Sequence, residues 1–162
     1  MDKYFEYLLE YRKKETLPEL KAGSFYFFKY KSKYYELKKL KYYDRQPLIL
    51  CLKKEGKYMW GINFHYLPKR IRYKLLKVLS ILNGEQFLTN RNLPKIKWDM
   101  FKIQVEFVKP QFLVKKYLLN RVDKPVKIKN TEMKQSIKTR EEDFIGVSAE
   151  TVWKLWKQGK DI

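Results

Sequence analysis

The chain has 162 residues, the length of one ordinary domain with room for an arm, and a globule of that size holds a core without disulfide staples. Its 37 Lys and Arg against 18 Asp and Glu give a net charge of +19, which repels itself unless a polyanion or an acidic protein neutralises it. An apolar content of 44% excludes a disordered chain, a single cysteine excludes an internal disulfide, and no apolar run approaches the length of a membrane span.

Residues 2–15 read as a short helix, with Tyr4, Tyr7, Leu8 and Tyr11 at helical spacing and Pro18 after its end. The segment carries acids and lacks the apolar stretch and cleavage site of a signal peptide. From residue 23 the period changes: GSFYFFKYKSK is rich in aromatic β-formers. YYELKKLKYYDRQP then reads as a tip or irregular strand that ends in a turn at Asp44. Pro47 cannot donate to a ladder, so it is expected to open the next strand. PLILCLKKEGKYMWGINFHYL predicts two strands joined near Gly56 as a hairpin. Cys51, inside the first, is expected to pack as a small hydrophobe.

At Pro68 the pattern becomes helical. Ile71, Leu75, Val78 and Leu82 share one face, and Asn83-Gly84 suits the end. Lys69, Arg70, Arg72, Lys74 and Lys77 stand opposite, mostly in the first two turns, where the helix dipole favours anions instead. Residues 85–97 read as loop and 98–105 as a short helix. Residues 110–122 predict a further helix, with Lys115, Lys116 and Arg121 on its basic side. Residues 123–143 are charged and poor in large apolar side chains, which predicts an extended arm. Ser148 can cap a terminal helix over 148–158 that carries Val152, Trp153 and Trp156.

The expected architecture is α+β: a small SH3-like antiparallel β-barrel or sheet over about 22–67, followed by helices. Residues 1–122 form the domain and 123–162 an arm with a short helix. The positive side chains of two helices are expected to gather into one solvent-facing stripe.

Chemistry is sparse. The chain has no phosphate-binding Gly-rich loop, no G-x-S-x-G and no zinc motif, and one His with one Cys cannot make the usual metal site. The one dense acid cluster, Glu141-Glu142-Asp143, lies in the predicted arm. No metal or other cofactor is expected. His65 could serve as a base with Asp44 or Tyr66. Its alternation with Asn63 favours a structural role instead, fixing the junction of sheet and helix. The 17% aromatic content beside so many lysines suits nucleic acid, since rings stack on bases while lysines follow phosphates. An AT-rich genome, with codons for Lys and Tyr, produces the same bias.

Tyr42-Tyr43-Asp44-Arg45-Gln46-Pro47-Leu48, then Gly61-Ile62-Asn63-Phe64-His65-Tyr66-Leu67-Pro68 and Arg72, resemble a family of small proteins from tailed, myovirus-type bacteriophages. The Gly23–Tyr30 stretch is similar to that family's opening. Gln46 stands where the family usually has Phe. The resemblance implies a structural or DNA-end-associated protein with no catalytic residues. Tyr43, Asp44, Pro47, Asn63, His65, Tyr66 and Pro68 form its motif.

The reading is therefore a non-enzymatic phage protein that binds DNA regardless of sequence through Lys69, Arg70, Arg72, Lys74, Lys77, Lys115, Lys116 and Arg121, protecting or organising the genome end in the virion, and acting in the host cytoplasm and the virion. The alternative is a virion component of neck, tail or baseplate that contacts other virion proteins, including as a homo-oligomer or ring. A toxin-like nuclease ranks last. No membrane role is expected.

Overall fold

The computed structural model describes residues 3–13, 15–82, 113–139 and 144–158. Helix α1 (Lys3–Tyr11) is followed by β1 (Phe25–Tyr30), a one-turn helix α2 (Lys33–Glu36) and β2 (Tyr43–Asp44). The hairpin β3 (Leu48–Glu55) and β4 (Tyr58–Asn63) leads through a 3-10 turn (Phe64–Tyr66) into α3 (Lys69–Leu82). Then come β5 (Val114–Leu118), a 3-10 turn (Leu119–Arg121), β6 (Val122–Lys127), α4 (Met133–Ser136), β7 (Phe144–Ile145) and α5 (Ala149–Gln158).

Five strands form one antiparallel sheet in the order β5-β4-β3-β1-β6, and β2 pairs with β7 in a separate ribbon. The α+β expectation holds in this form. The pairing does not close into a barrel, because β5 and β6 are the two edges. Yet only Leu119–Arg121 separate them in sequence. Four residue steps reach about 14 Å at most, less than the roughly 19 Å across five flat strands, so the sheet must curl.

Alternation along β1 explains why both faces are covered. Phe25 and Phe27 join Leu48, Leu50, Ile62 and Val126 in a main core roofed by Phe5 and Leu8 of α1, Ile71 and Leu75 of α3, and Val152 of α5. Tyr26, Phe28 and Tyr30 face the other way, against Ile49, Cys51, Met59, Tyr117 and Leu20. The hairpin turns at Gly56-Lys57. Gly56 has φ +59, the conformation that a two-residue turn of this hand wants first and that glycine adopts without strain. Pro47 directly precedes β3, as its missing N–H requires. Pro68 opens α3: its carbonyl accepts from the N–H groups of Ile71 and Arg72 at 2.9 and 3.0 Å. Ser148 caps α5, accepting from Thr151 N at 3.2 Å.

Two expectations are corrected. Residues 114–118 are not helical. Leu113, Tyr117 and Leu118 do fall at helical spacing, but β4 offers this stretch a complete ladder, Tyr58↔Leu118 through Ile62↔Val114. Pairing with β4 overrides local spacing. Nor does the arm expected from residue 123 begin as one: Val122–Lys127 are edge strand β6, paired with β1. Pro125 and a positive φ of 50 at Lys124 sit where that pairing is irregular, which an edge strand tolerates. Beyond β6, Ile128, Met133 and Ile137 enter the main core. Arg12 fastens α1 to this segment, donating to Lys127 O and pairing with Glu132. The predicted helix over 98–105, the loop over 85–97, Asn83-Gly84 and the 110–112 helix start lie outside the described residues.

Candidate functional site

The motif residues converge. The two-residue β2 brings Asp44 beside the end of β4 and the 3-10 turn. Asp44 Oδ2 accepts from Asn63 Nδ2 at 3.0 Å and meets His65 Nδ1 at 2.9 Å, and Oδ1 accepts from Gln46 N at 3.0 Å. Asn63 Oδ1 accepts from His65 N at 3.0 Å, the cap of the 3-10 turn, and its amide reaches Tyr117 OH at 3.1 Å. His65 Nε2 lies 3.1 Å from Thr139 Oγ1. From α5, Trp153 Nε1 donates to His65 O at 3.1 Å. The network thus joins β2, β4, β5, the 3-10 turn, the segment after α4, and α5.

Burial raises the cost of charge on Asp44. Attraction to His65, with hydrogen bonds from His65, Asn63 and the Gln46 N–H, outweighs it and holds the carboxyl below its ordinary value. Burial, reinforced by the Asp44 charge, pushes the Tyr117 hydroxyl well above its ordinary range. Burial likewise raises the Cys51 thiol to about 11.

Thr139, His65 and Asp44 line up in the order of a hydroxyl–imidazole–carboxylate relay. All three are at most 3% exposed, so no substrate reaches the hydroxyl in this arrangement. The Thr139 hydroxyl also donates to Ser136 O at 3.0 Å. What the geometry does is hold distant parts of the chain in one place.

Arg72 requires a correction. Expected on the solvent side of α3, it is 0% exposed. Its Nε donates to Leu67 O at 2.7 Å, and its Nη1 to Thr139 O and Ile137 O at 3.0 and 3.4 Å. A guanidinium presents several donors in a fixed fork, which lets it satisfy three carbonyls at once. It cannot meet DNA phosphates from there.

The remaining expected cations divide. Arg70, Lys74 and Lys77 are exposed on α3, and Lys69 is half-buried. Lys115 and Lys116 stand on β5, with Lys115 Nζ 4.2 Å from the Tyr66 ring and Lys116 Nζ 3.8 Å from that of Tyr58. Arg121 reaches Glu36 of α2 at 3.3 Å. The expected stripe from two helices is therefore not formed as such, because one of the two is a strand. Tyr43 is half-buried and pairs with Ile145, while Tyr66 packs on Tyr42 and Phe144. Gly146, next to that ribbon, has φ +90, and a Cβ there would lie 2.5 Å from Lys41 O.

Reading the sequence missed Tyr117, Thr139 and Trp153 as members of the network. Tyr117 follows from treating 114–118 as a strand, since its register opposite Met59 sets its face. Nothing local marks Thr139, which is 74 residues from His65. Among the described residues no group of three or more His, Cys, Asp or Glu is placed to hold a metal ion. Glu141-Glu142-Asp143 lies outside those residues. Among them, too, no helix is long and apolar enough to cross a membrane.

Fold and site together define a strongly basic α+β protein built around a sealed polar centre. The sequence matches the family model described as phage T4 terminal DNA protecting protein over residues 2–156, and the chain belongs to that bacteriophage family. Comparison with curated proteins finds no match, and comparison with solved structures finds none.

Proposed function

We propose that this protein covers the ends of linear phage DNA, without catalysis and without reading sequence. The family match over residues 2–156 carries the reading. The net charge of +19 supports it, as do the exposed Arg70, Lys74 and Lys77 of α3, a helix with no acid in its first turn. Cations near a helix N-terminus are mildly unfavourable until an anion joins them. Phosphate contacts give affinity without specificity, so DNA of any sequence serves. The work would fall in the host cytoplasm during infection and in the virion. The curl of the sheet supports reading it as an open SH3-like barrel, a scaffold for the basic surface.

The test is digestion of blunt linear duplex by an added exonuclease, with and without the protein, over a salt series. Protection should be strong at low salt and should fall steeply, by about 10³–10⁵ in affinity between 50 and 200 mM if six to ten phosphates are engaged. Closed circular DNA should compete less well than linear. Unchanged digestion, or binding indifferent to salt, would overturn the reading. Cleavage of DNA by the protein alone, abolished by His65→Ala in a folded variant, would turn it toward a nuclease.

Tyr7, Tyr11 and Leu17, at 58%, 65% and 69% exposed, favour a second reading, a virion component with a protein partner. Stoichiometric presence in purified particles, in a multiple of a ring symmetry, would support it.

A further inference from the structure

Strand β4 leaves the core as it runs back toward its turn. Ile62 is buried, whereas Trp60 and Tyr58, on the same face two and four residues earlier, are half-exposed. Trp60 lies opposite Lys53 on β3 and Lys116 on β5. The result is a row across three strands of ammonium, ring and ammonium, with Tyr58 and Lys57 beside it.

The distances are short. The Tyr58 and Trp60 rings are 5.9 Å apart at 58°. Lys116 Nζ is 3.8 Å from the Tyr58 centroid and 5.5 Å from that of Trp60. Lys53 Nζ is 4.6 Å from Trp60, and Lys57 Nζ 5.5 Å from Tyr58. Tyr58 OH lies 3.3 Å from Tyr34 OH, which steadies the ring from α2. Among the described residues, Glu55 is the acid that pairs with one of these cations, 3.4 Å from Lys53. Lys53, Lys57 and Lys116 are all exposed.

We propose that this row is a binding site for unpaired nucleotides at a DNA terminus, with bases stacked on Tyr58 and Trp60 and phosphates held by Lys53, Lys57 and Lys116. The inference rests on the DNA-end reading and deepens it, because it names the form of end that is held. Three cations to one acid select an anion, and the two ring faces select one that carries flat apolar groups along its length. Unpaired nucleic acid has both; a blunt duplex keeps its base faces stacked inside. Lysines over ring faces are held by weak, exchangeable attraction. An arriving base displaces the ammonium, which remains within reach of the adjoining phosphate.

The experiment compares three DNAs: a blunt duplex, the same duplex with a thymine overhang of about four nucleotides, and free oligothymidylate. The overhang should bind about tenfold tighter than the blunt form, and oligothymidylate should quench tryptophan fluorescence. Trp60→Leu with Tyr58→Leu should remove the overhang preference and leave blunt binding within about twofold, with the urea midpoint checked for folding. Trp60→Phe should lose most of the quenching while keeping the preference, because a phenyl ring still stacks. Equal affinity for blunt and overhung ends, or a preference and quenching that survive these changes, overturns this site and leaves the end-protecting reading standing. A wild-type protein that binds no DNA overturns both.

Discussion

At one end of β4, Asn63 and the His65 that follows it are sealed in a network with Asp44, Tyr117 and Thr139. At the other end, Tyr58 and Trp60 stand half-exposed among lysines. Both ends gather aromatic, polar and cationic side chains, so residue type does not tell them apart. Burial does. Where water is excluded, each polar atom needs a fixed partner, and the group becomes a fastening. Where water remains, the same attractions are weak and exchangeable, and partners can be traded for a ligand. Arg72 and Arg70 make the contrast within one helix turn: one is spent on three carbonyls inside, the other is exposed.

The contrast breaks first at the buried end. His65→Ala leaves the Asp44 carboxylate buried without its nearest partner, and removing one member of a buried pair costs about 3–5 kcal/mol. Urea unfolding should read that loss, while Trp60→Leu, at the exposed end, should shift the midpoint far less. Equal losses would mean that both ends are structural.

Acid should act through the same carboxyl. Asp44 has a folded value below its unfolded one. Between the two, the unfolded chain binds more protons, so stability rises with pH there. The contribution is full above the ordinary carboxylate value, near pH 4, and is lost as pH falls through the lower folded value. Asp44→Asn should flatten the acid limb of a stability–pH curve; an unchanged limb would place the acid sensitivity elsewhere.

Gly146→Ala tests a backbone device away from both ends. The new Cβ meets Lys41 O, and φ is in the left-handed region, so a loss of about 1–3 kcal/mol in unfolding free energy is expected. The smallest effects on stability should come from the exposed cations. Arg70→Gln with Lys74→Gln and Lys77→Gln should leave the unfolding midpoint nearly unchanged. The log–log salt slope of DNA binding should fall by about 0.9 for each phosphate that these side chains no longer neutralise. An unaltered slope would remove α3 from the DNA-binding surface.

Much of this molecule was legible because its signals are local. Aromatic β-formers marked β1, the apolar run after Pro47 marked β3, Gly56 set the hairpin, and Pro68 with the Ile71 and Leu75 spacing set α3, since each reflects torsional or periodic constraints within a few residues. Asp44, Asn63 and His65 could be singled out and set beside one another, but Tyr117, Thr139 and Trp153, which complete the network, could not.

Tertiary structure decided the rest. Residues 114–118 became a strand because β4 presented an open ladder, and a ladder lies across the sequence rather than along it. Arg72 turned inward because three carbonyls, two of them 65 and 67 residues away, needed donors. Thr139 became the partner of His65 because β6 pairs with β1 and the segment beyond it packs into the main core, which carries α4 and Thr139 back to the 3-10 turn. The sequence by itself determined the elements whose hydrogen bonds and packing are short-range. Which polar side chains are sealed and which remain free to meet a ligand was decided only when distant segments came together, because burial belongs to the assembled fold rather than to any stretch of chain.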